Sequence, residues 1–156
     1  MDMAREGLFN ILSHKVDFSG LKVLDLFAGT GSISFEFASR GCYDVTAVEI
    51  DKKHVQLIKD FSLMLQCSSV RVVNADAFRF IKNAAVAYDV IFADPPFTFT
   101  NIHILPETIL SSDILCESGI FILEHPQKLS FSNEHCYDVR KYGSVLFSFF
   151  CKKHKR

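Results

Sequence analysis

The sequence predicts an α/β fold: a seven-stranded, mostly parallel sheet with helices on both faces. Three observations predict it. Apolar strand-like runs alternate with segments of helical periodicity, the signature of successive strand–helix units. The length of 156 residues suits one domain, taken as 1–156. The last stretch, Cys136 to Cys151, reads as two strands turning near Gly143. A tight closing pair cannot be parallel, so one C-terminal strand must enter the sheet antiparallel.

Each element follows in order. Residues 3–13 carry an apolar stripe of Leu8, Phe9, Ile11 and Leu12 and form the first helix. Lys22–Phe27 (KVLDLF) is a buried strand, Gly29 to Gly31 a turn, and a helix runs to about Arg40, stopped by Gly41. Tyr43–Ile50 is the second strand. Asp51 caps a helix reaching about Gln66. Val70–Val73, a short helix over Ala77–Lys82 and the strand Asp89–Ala93 (DVIFA) follow. A helix is expected from about Pro106 to Cys116, then a strand over Gly119–Glu124.

Bulk properties exclude several classes. Five cysteines, odd in number and without a C-x-x-C pair, argue against a disulfide framework or a zinc site and suit a reducing cytoplasm. The six histidines lack metal-ligand spacing, so no metal is expected. No run approaches the ~20 apolar residues of a membrane span. The formal net charge of −1 lends no support to a nucleic-acid partner. The one basic run, Lys152, Lys153, His154, Lys155 and Arg156, is either a solvated tail or a set of phosphate contacts.

Four segments can carry chemistry, each at the C-terminal end of a strand, where ligands of such sheets bind. Leu24–Ser32 (LDLFAGTGS) places Gly29 and Gly31 where the backbone must turn tightly and approach a ligand. Position 34 is Ser, so the dinucleotide fingerprint is incomplete, and no phosphate-loop Lys follows. Glu49 ends the second strand, where a carboxylate accepts the two hydroxyls of a ribose. Asp76 can accept from an adenine amino group or cap the next helix. Asp94-Pro95-Pro96-Phe97 follows the fourth strand. Its prolines fix the backbone and remove two donors. Asp94 and the Pro95 carbonyl can take one hydrogen each from an exocyclic amine, and Phe97 can stack on the base. This chemistry suits S-adenosylmethionine, whose sulfonium already activates the methyl group, so the protein need only align and polarise. Glu124-His125-Pro126 lies near the same edge, as a wall of the site or as structure.

REGLFNIL (Arg5–Leu12), VLDLFAGTGSISFEFASRG (Val23–Gly41), AVEID (Ala47–Asp51), NADAF (Asn74–Phe78), FADPPF (Phe92–Phe97) and KYGSVLFSFF (Lys141–Phe150) resemble the bacterial 16S ribosomal RNA guanine-N2 methyltransferase family called RsmD. The first and last segments lie outside the motifs that all such methyltransferases share. The resemblance implies a Rossmann-like class I methyltransferase fold, with Asp25, Phe27, Ala28, Gly29, Thr30 and Gly31 along the methionine end of the cofactor. It places Glu49 at the ribose, and Ile50, Asp76 and Ala77 at the adenine. Asp94, Pro95, Pro96 and Phe97 would hold the guanine 2-amino group. It further implies a cytoplasmic monomer acting on small-subunit ribosomal RNA, with the base unstacked into the pocket. Family members carry a basic segment and a β-hairpin ahead of REGLFNIL; here Met1-Asp2-Met3-Ala4 precedes it, so that RNA-gripping segment is expected to be missing. Adenine-N6 methylation uses the same amine chemistry. A non-catalytic cofactor- or RNA-binding module is a separate class, disfavoured by the intact Asp94 loop, and a nicotinamide oxidoreductase would need an acid/base residue not found.

Overall fold

The computed structural model describes residues 2–131 and 133–153. Twelve regular elements alternate: α1 (Asp2–Ser13), β1 (Lys22–Asp25), α2 (Ser32–Ser39), β2 (Asp44–Glu49), α3 (Lys52–Met64), β3 (Val70–Asn74), α4 (Ala77–Asn83), β4 (Tyr88–Ala93), α5 (Leu105–Leu110), β5 (Leu115–Pro126), β6 (Cys136–Tyr142) and β7 (Val145–Phe150). A 3-10 turn over Ile102–Ile104 leads into α5.

The seven strands form one sheet in the order β3-β2-β1-β4-β5-β7-β6. β1 to β5 run parallel, and β7 lies antiparallel between β5 and β6. Tyr142 pairs with Val145, so Gly143-Ser144 is the whole loop of the closing hairpin, with Gly143 at φ 62°. The Rossmann-like fold and the antiparallel insertion are as expected.

Alternating strand residues feed two cores. Val23, Val90, Phe92, Ile120 and Ile122 pack with α1, α2 and α3 through Leu8, Phe9, Leu12, Phe37 and Ile58. Leu24, Ile91, Ala93, Phe121 and Leu123 pack with α4 and α5 through Ile81, Leu105 and Ile109. Phe149 and Phe150 divide between the two faces in the same way. Among the described residues no helix is long and apolar enough to cross a membrane, and the five cysteines are free thiols.

Three expectations need correction. The helix expected to reach Cys116 ends at Leu110. Ser111 and Ser112 follow, and the Ser112 hydroxyl donates to the Ile109 carbonyl, a local bond that competes with further helix. Leu115 already pairs with Tyr88, and the strand then bulges before Ile120 pairs with Val90. Gly119 sits in that bulge, where a Cβ would fall 3.0 Å from the Cys116 carbonyl oxygen and 3.1 Å from that of Asp89. α3 stops at Met64, and Gln66 takes a positive φ of 52° just beyond it. Lys152 is not a solvated tail residue. Its Nζ donates to the Ser112 carbonyl at 2.8 Å and lies 3.9 Å from Glu117. His154, Lys155 and Arg156 lie outside the described residues.

The chain's two ends meet. Gly7 of α1 lies under Tyr142 of β6, so closely that any Cβ there would overlap the phenol ring. Alanine in a helix gains up to ~1 kcal/mol over glycine, whereas overpacking costs about 1–3 kcal/mol. Gly7→Val should therefore lower stability by about 1–3 kcal/mol. In a Tyr142→Ala background, Gly7→Ala should instead stabilise by up to ~1 kcal/mol. Urea unfolding of the single and double variants measures both. A Gly7→Val protein as stable as wild type would refute the packing argument.

Candidate functional site

β2 and β3 add to one side of β1, and β4 adds to the other. The loops leaving β1 and β4 therefore part and open a crevice at the C-terminal ends of the strands. Two cavities occupy it. The smaller, of about 400 Å³, lies over β1, β2 and β3 and includes Phe27, Gly29, Glu49, Ile50, Asp76 and Ala77 in its wall. The larger, of about 780 Å³, lies over β4 and β5 and includes Pro95, Phe97, Glu124 and Lys128. Both lie in the size range of small-molecule sites. Asp94, Pro96 and Phe99 border both, so the Asp94 loop is the partition between them.

Glu49 clamps the smaller cavity. One carboxylate oxygen accepts the Gly29 N–H at 2.7 Å and the other accepts the Asp51 N–H at 2.8 Å. Gly29 can present its N–H this way because it holds φ at 58°. The carboxylate is only 9% exposed, and its remaining lone pairs can still accept hydroxyl donors. Asn74 ties the ends of β2 and β3 together by donating to the carbonyls of Glu49 and Ile50. Ile50 stays 66% exposed, a flat apolar surface on the rim. Asp76 accepts the Arg79 N–H at 3.1 Å, so it caps α4 while also lining the cavity.

The expected glycine-turn set divides. Phe27 and Gly29 line the smaller cavity; Asp25, Ala28, Thr30 and Gly31 line neither cavity. Gly31 is a packing glycine, where a Cβ would stand 3.0 Å from Ile58 and Phe35 of the neighbouring helices. Asp25 is fully buried beneath the turn and accepts the Ser34 hydroxyl at 2.8 Å. Its other oxygen has no hydrogen-bond partner. Burial pushes its pKa up to about 7; the Ser34 bond opposes this, and the charges of Asp94 and Glu49 add to it.

Sequence reasoning passed over two residues and left a third without a role in the chemistry. Phe99 stacks on Phe78 with ring centroids 5.6 Å apart and meets Phe27 edge-on at 5.1 Å. Its N–H donates to the Pro96 carbonyl, which folds the loop back over both cavities. His54, in the first turn of α3, points its Nδ1 at Glu49 (3.8 Å) and Asp51 (3.7 Å). Glu124, expected as a wall of the site or as structure, lies against Asp94 and shares a hydrogen bond with it. Burial raises both carboxyls, and the neighbouring charge of Asp94 raises Glu124 further. His125 is structural: buried, with Nε2 2.7 Å from the Ser148 hydroxyl and Nδ1 3.0 Å from the Pro126 carbonyl.

This arrangement can hold an adenosine-like group against Glu49 and a flat amine-bearing ring against Phe97, with Asp94 at the junction. Residues 1–151 match the protein family described as Conserved hypothetical protein 95. The chain belongs to that family. The RsmD-like resemblance is borne out by a relative from Haemophilus influenzae, the ribosomal RNA small subunit methyltransferase D, 38% identical over 76% of this chain and 59% of its own. A putative rRNA methyltransferase of Bacillus subtilis is 31% identical over 82% of this chain and 71% of its own. Among solved structures, a putative methyltransferase of Escherichia coli superposes with a TM-score of 0.85 at 24% identity, covering 96% of this chain and 86% of that one, which supports the fold. The chain spans less than two thirds of the length of the first curated relatives it matches, 64%, 59% and 48%.

The buried Asp25 gives a test of the site's electrostatics. Its folded-state pKa, about 7, lies above the ordinary aspartate value of 3.8, so the folded protein holds the extra proton between those values. Stability from this group is greatest below about pH 4 and falls as pH rises through about 7, by a few kcal/mol at most. Asp25→Asn should flatten that decline, measured as the urea midpoint at pH 5 and pH 8. An unchanged pH slope in the variant would show that Asp25 ionises freely.

Proposed function

We propose that this chain transfers a methyl group from S-adenosylmethionine to the exocyclic 2-amino group of a guanosine in small-subunit (16S) ribosomal RNA. The observation that carries the reading is the Asp94-Pro95-Pro96-Phe97 loop standing as the partition between two cavities. A donor in one cavity and an acceptor in the other must meet at Asp94. The relative named as a ribosomal RNA small subunit methyltransferase supports ribosomal RNA as the partner. The reading carries with it a monomer working in the cytoplasm, where ribosomal particles are assembled.

The residues of the smaller cavity fit the cofactor. Glu49 offers lone pairs to a ribose, and Ile50, Asp76 and Ala77 border a slot for adenine. Glu49 and Asp94 border the smaller cavity, and their carboxylates favour a ligand carrying a net positive charge. When bound, S-adenosylmethionine supplies a methyl group already activated by its sulfonium. Phe97, 98% exposed, offers a bare ring for a base to stack upon. Asp94 accepts one hydrogen of the amine and the Pro95 carbonyl the other, so the nitrogen lone pair faces the partition. As the nitrogen is methylated it sheds a proton, and the Asp94 carboxylate is the adjacent acceptor. The protein's contribution is alignment and electrostatic placement.

Labelled methyl transfer to ribosomal particles lacking the modification tests the reading, with nucleoside analysis of the product separating guanine-N2 from adenine-N6. Asp94→Ala should lower the turnover rate by roughly 10²–10³-fold, the scale of losing one polarising group. No transfer by the wild-type protein, or transfer indifferent to Asp94, would sink it. Phe97→Ala should act on binding instead. KM should rise by roughly 5- to 150-fold, the worth of one base–aromatic stack, with turnover at saturation nearly kept. A change confined to turnover would remove Phe97 from base binding.

A further inference from the structure

We propose that Glu124 reads the Watson–Crick edge of the target purine, accepting the N1–H of guanine while Asp94 accepts a hydrogen of the neighbouring 2-amino group. The inference rests on the guanine reading above and adds to it a residue that selects the base.

The geometry comes from strand register. Ala93 of β4 pairs with Leu123 of β5, so Asp94 and Glu124 are the next residues on adjacent parallel strands. Their carboxyl groups converge closely enough to share a hydrogen bond, and both face the larger cavity. Guanine carries two donors, N1–H and the 2-amino group, on the adjacent ring atoms N1 and C2. A pair of converging carboxyls is the complementary acceptor set. Adenine and 2-aminopurine present a bare N1 lone pair at that position, which a carboxylate repels.

Glu124 is better placed for selection than the loop residues around it. Its backbone pairs with Phe147 of β7 in the interior of the sheet, so its side chain is presented from a rigid strand. Neighbouring His125 is already committed to Ser148 and the Pro126 carbonyl. In the protein alone burial raises both carboxyls, and the charge of Asp94 raises Glu124 further. Guanine's two donors give each carboxyl a partner, whereas a base lacking N1–H leaves one carboxyl facing a lone pair.

The test uses short uridine oligomers with one central purine, guanine or 2-aminopurine. Both bases keep the 2-amino group, and only guanine has N1–H. Binding is measured with S-adenosylhomocysteine present. Wild-type protein should bind the guanine oligomer roughly tenfold or more tightly, the scale of one base-edge contact. In Glu124→Gln the amide can donate an N–H to the bare N1, and the preference should shrink to within about threefold. Unchanged affinity for S-adenosylhomocysteine reports that the variant is folded. The wild-type comparison needs no variant at all. Equal binding of the two oligomers by wild type, including none of either, overturns the proposal, as does an unchanged preference in Glu124→Gln. The same preparations are assayed on ribosomal particles. Particles methylated alongside an unchanged preference overturn the role of Glu124 alone; particles left unmethylated by wild type overturn the guanine reading.

Discussion

The site exists because the chain reverses direction of growth at β1. Strands β2 and β3 extend the sheet on one side and β4 and β5 on the other. No helix can close the gap between the loops that leave β1 and β4, so a crevice is forced at that point. One carboxylate, through two hydrogen bonds, turns the crevice into a shaped site. Glu49 spans from the end of β2 to the turn after β1, gripping the N–H groups of Gly29 and Asp51. The glycine turn, the start of α3 and the rim of the smaller cavity are all referred to that one carboxylate.

A cost follows from concentrating acids there. Asp25 lies buried beneath the turn with an oxygen left without a partner, and Asp94 and Glu124 press together at the partition. Each arrangement raises a carboxyl above its ordinary range. Core packing alone would never select such groups, since apolar residues of the same size would be more stable. The acids make sense as a field. A cationic donor is favoured in the crevice over a neutral product, and an amine finds acceptors that need no rearrangement.

Much of this was legible in the sequence because it is local. The strand–helix alternation, the Gly29 turn, the Asp51 cap and the Gly143 hairpin each depend on a few consecutive residues, and each is where the pattern put it. Asp76 kept both of its readings, as cap and as cavity wall. What escaped was set by register and by distance along the chain. Glu124 meets Asp94 only because β5 bulges at Gly119 before pairing with β4, a shift no periodicity announces. The same bulge lengthened β5 at the expense of the helix expected to reach Cys116. Phe99 is two residues beyond Phe97 and looks equivalent to it. Yet Phe97 stands bare while Phe99 is packed on Phe78 and Phe27, a difference made by the turn between Pro96 and Phe99.

The segments that most narrowed the resemblance lie far from the chemistry, and their packing gives the reason. REGLFNIL lies within α1 and KYGS forms the turn of the closing hairpin; Gly7 and Tyr142 interlock where the two meet. That contact joins α1 to the hairpin that holds β7. β7 in turn pairs with β5 along Glu124, and so fixes the backbone from which that carboxylate enters the larger cavity. A residue too large at Gly7 would push on the hairpin, and through β7 on the partition. α1 and the closing hairpin thus bear on the wall of the cavity assigned to the base, while the glycine turn and Glu49 bear on the cavity assigned to the cofactor. Methyl transfer with a shared donor but varied acceptors would constrain the second set in every such enzyme and the first only among those holding the same base.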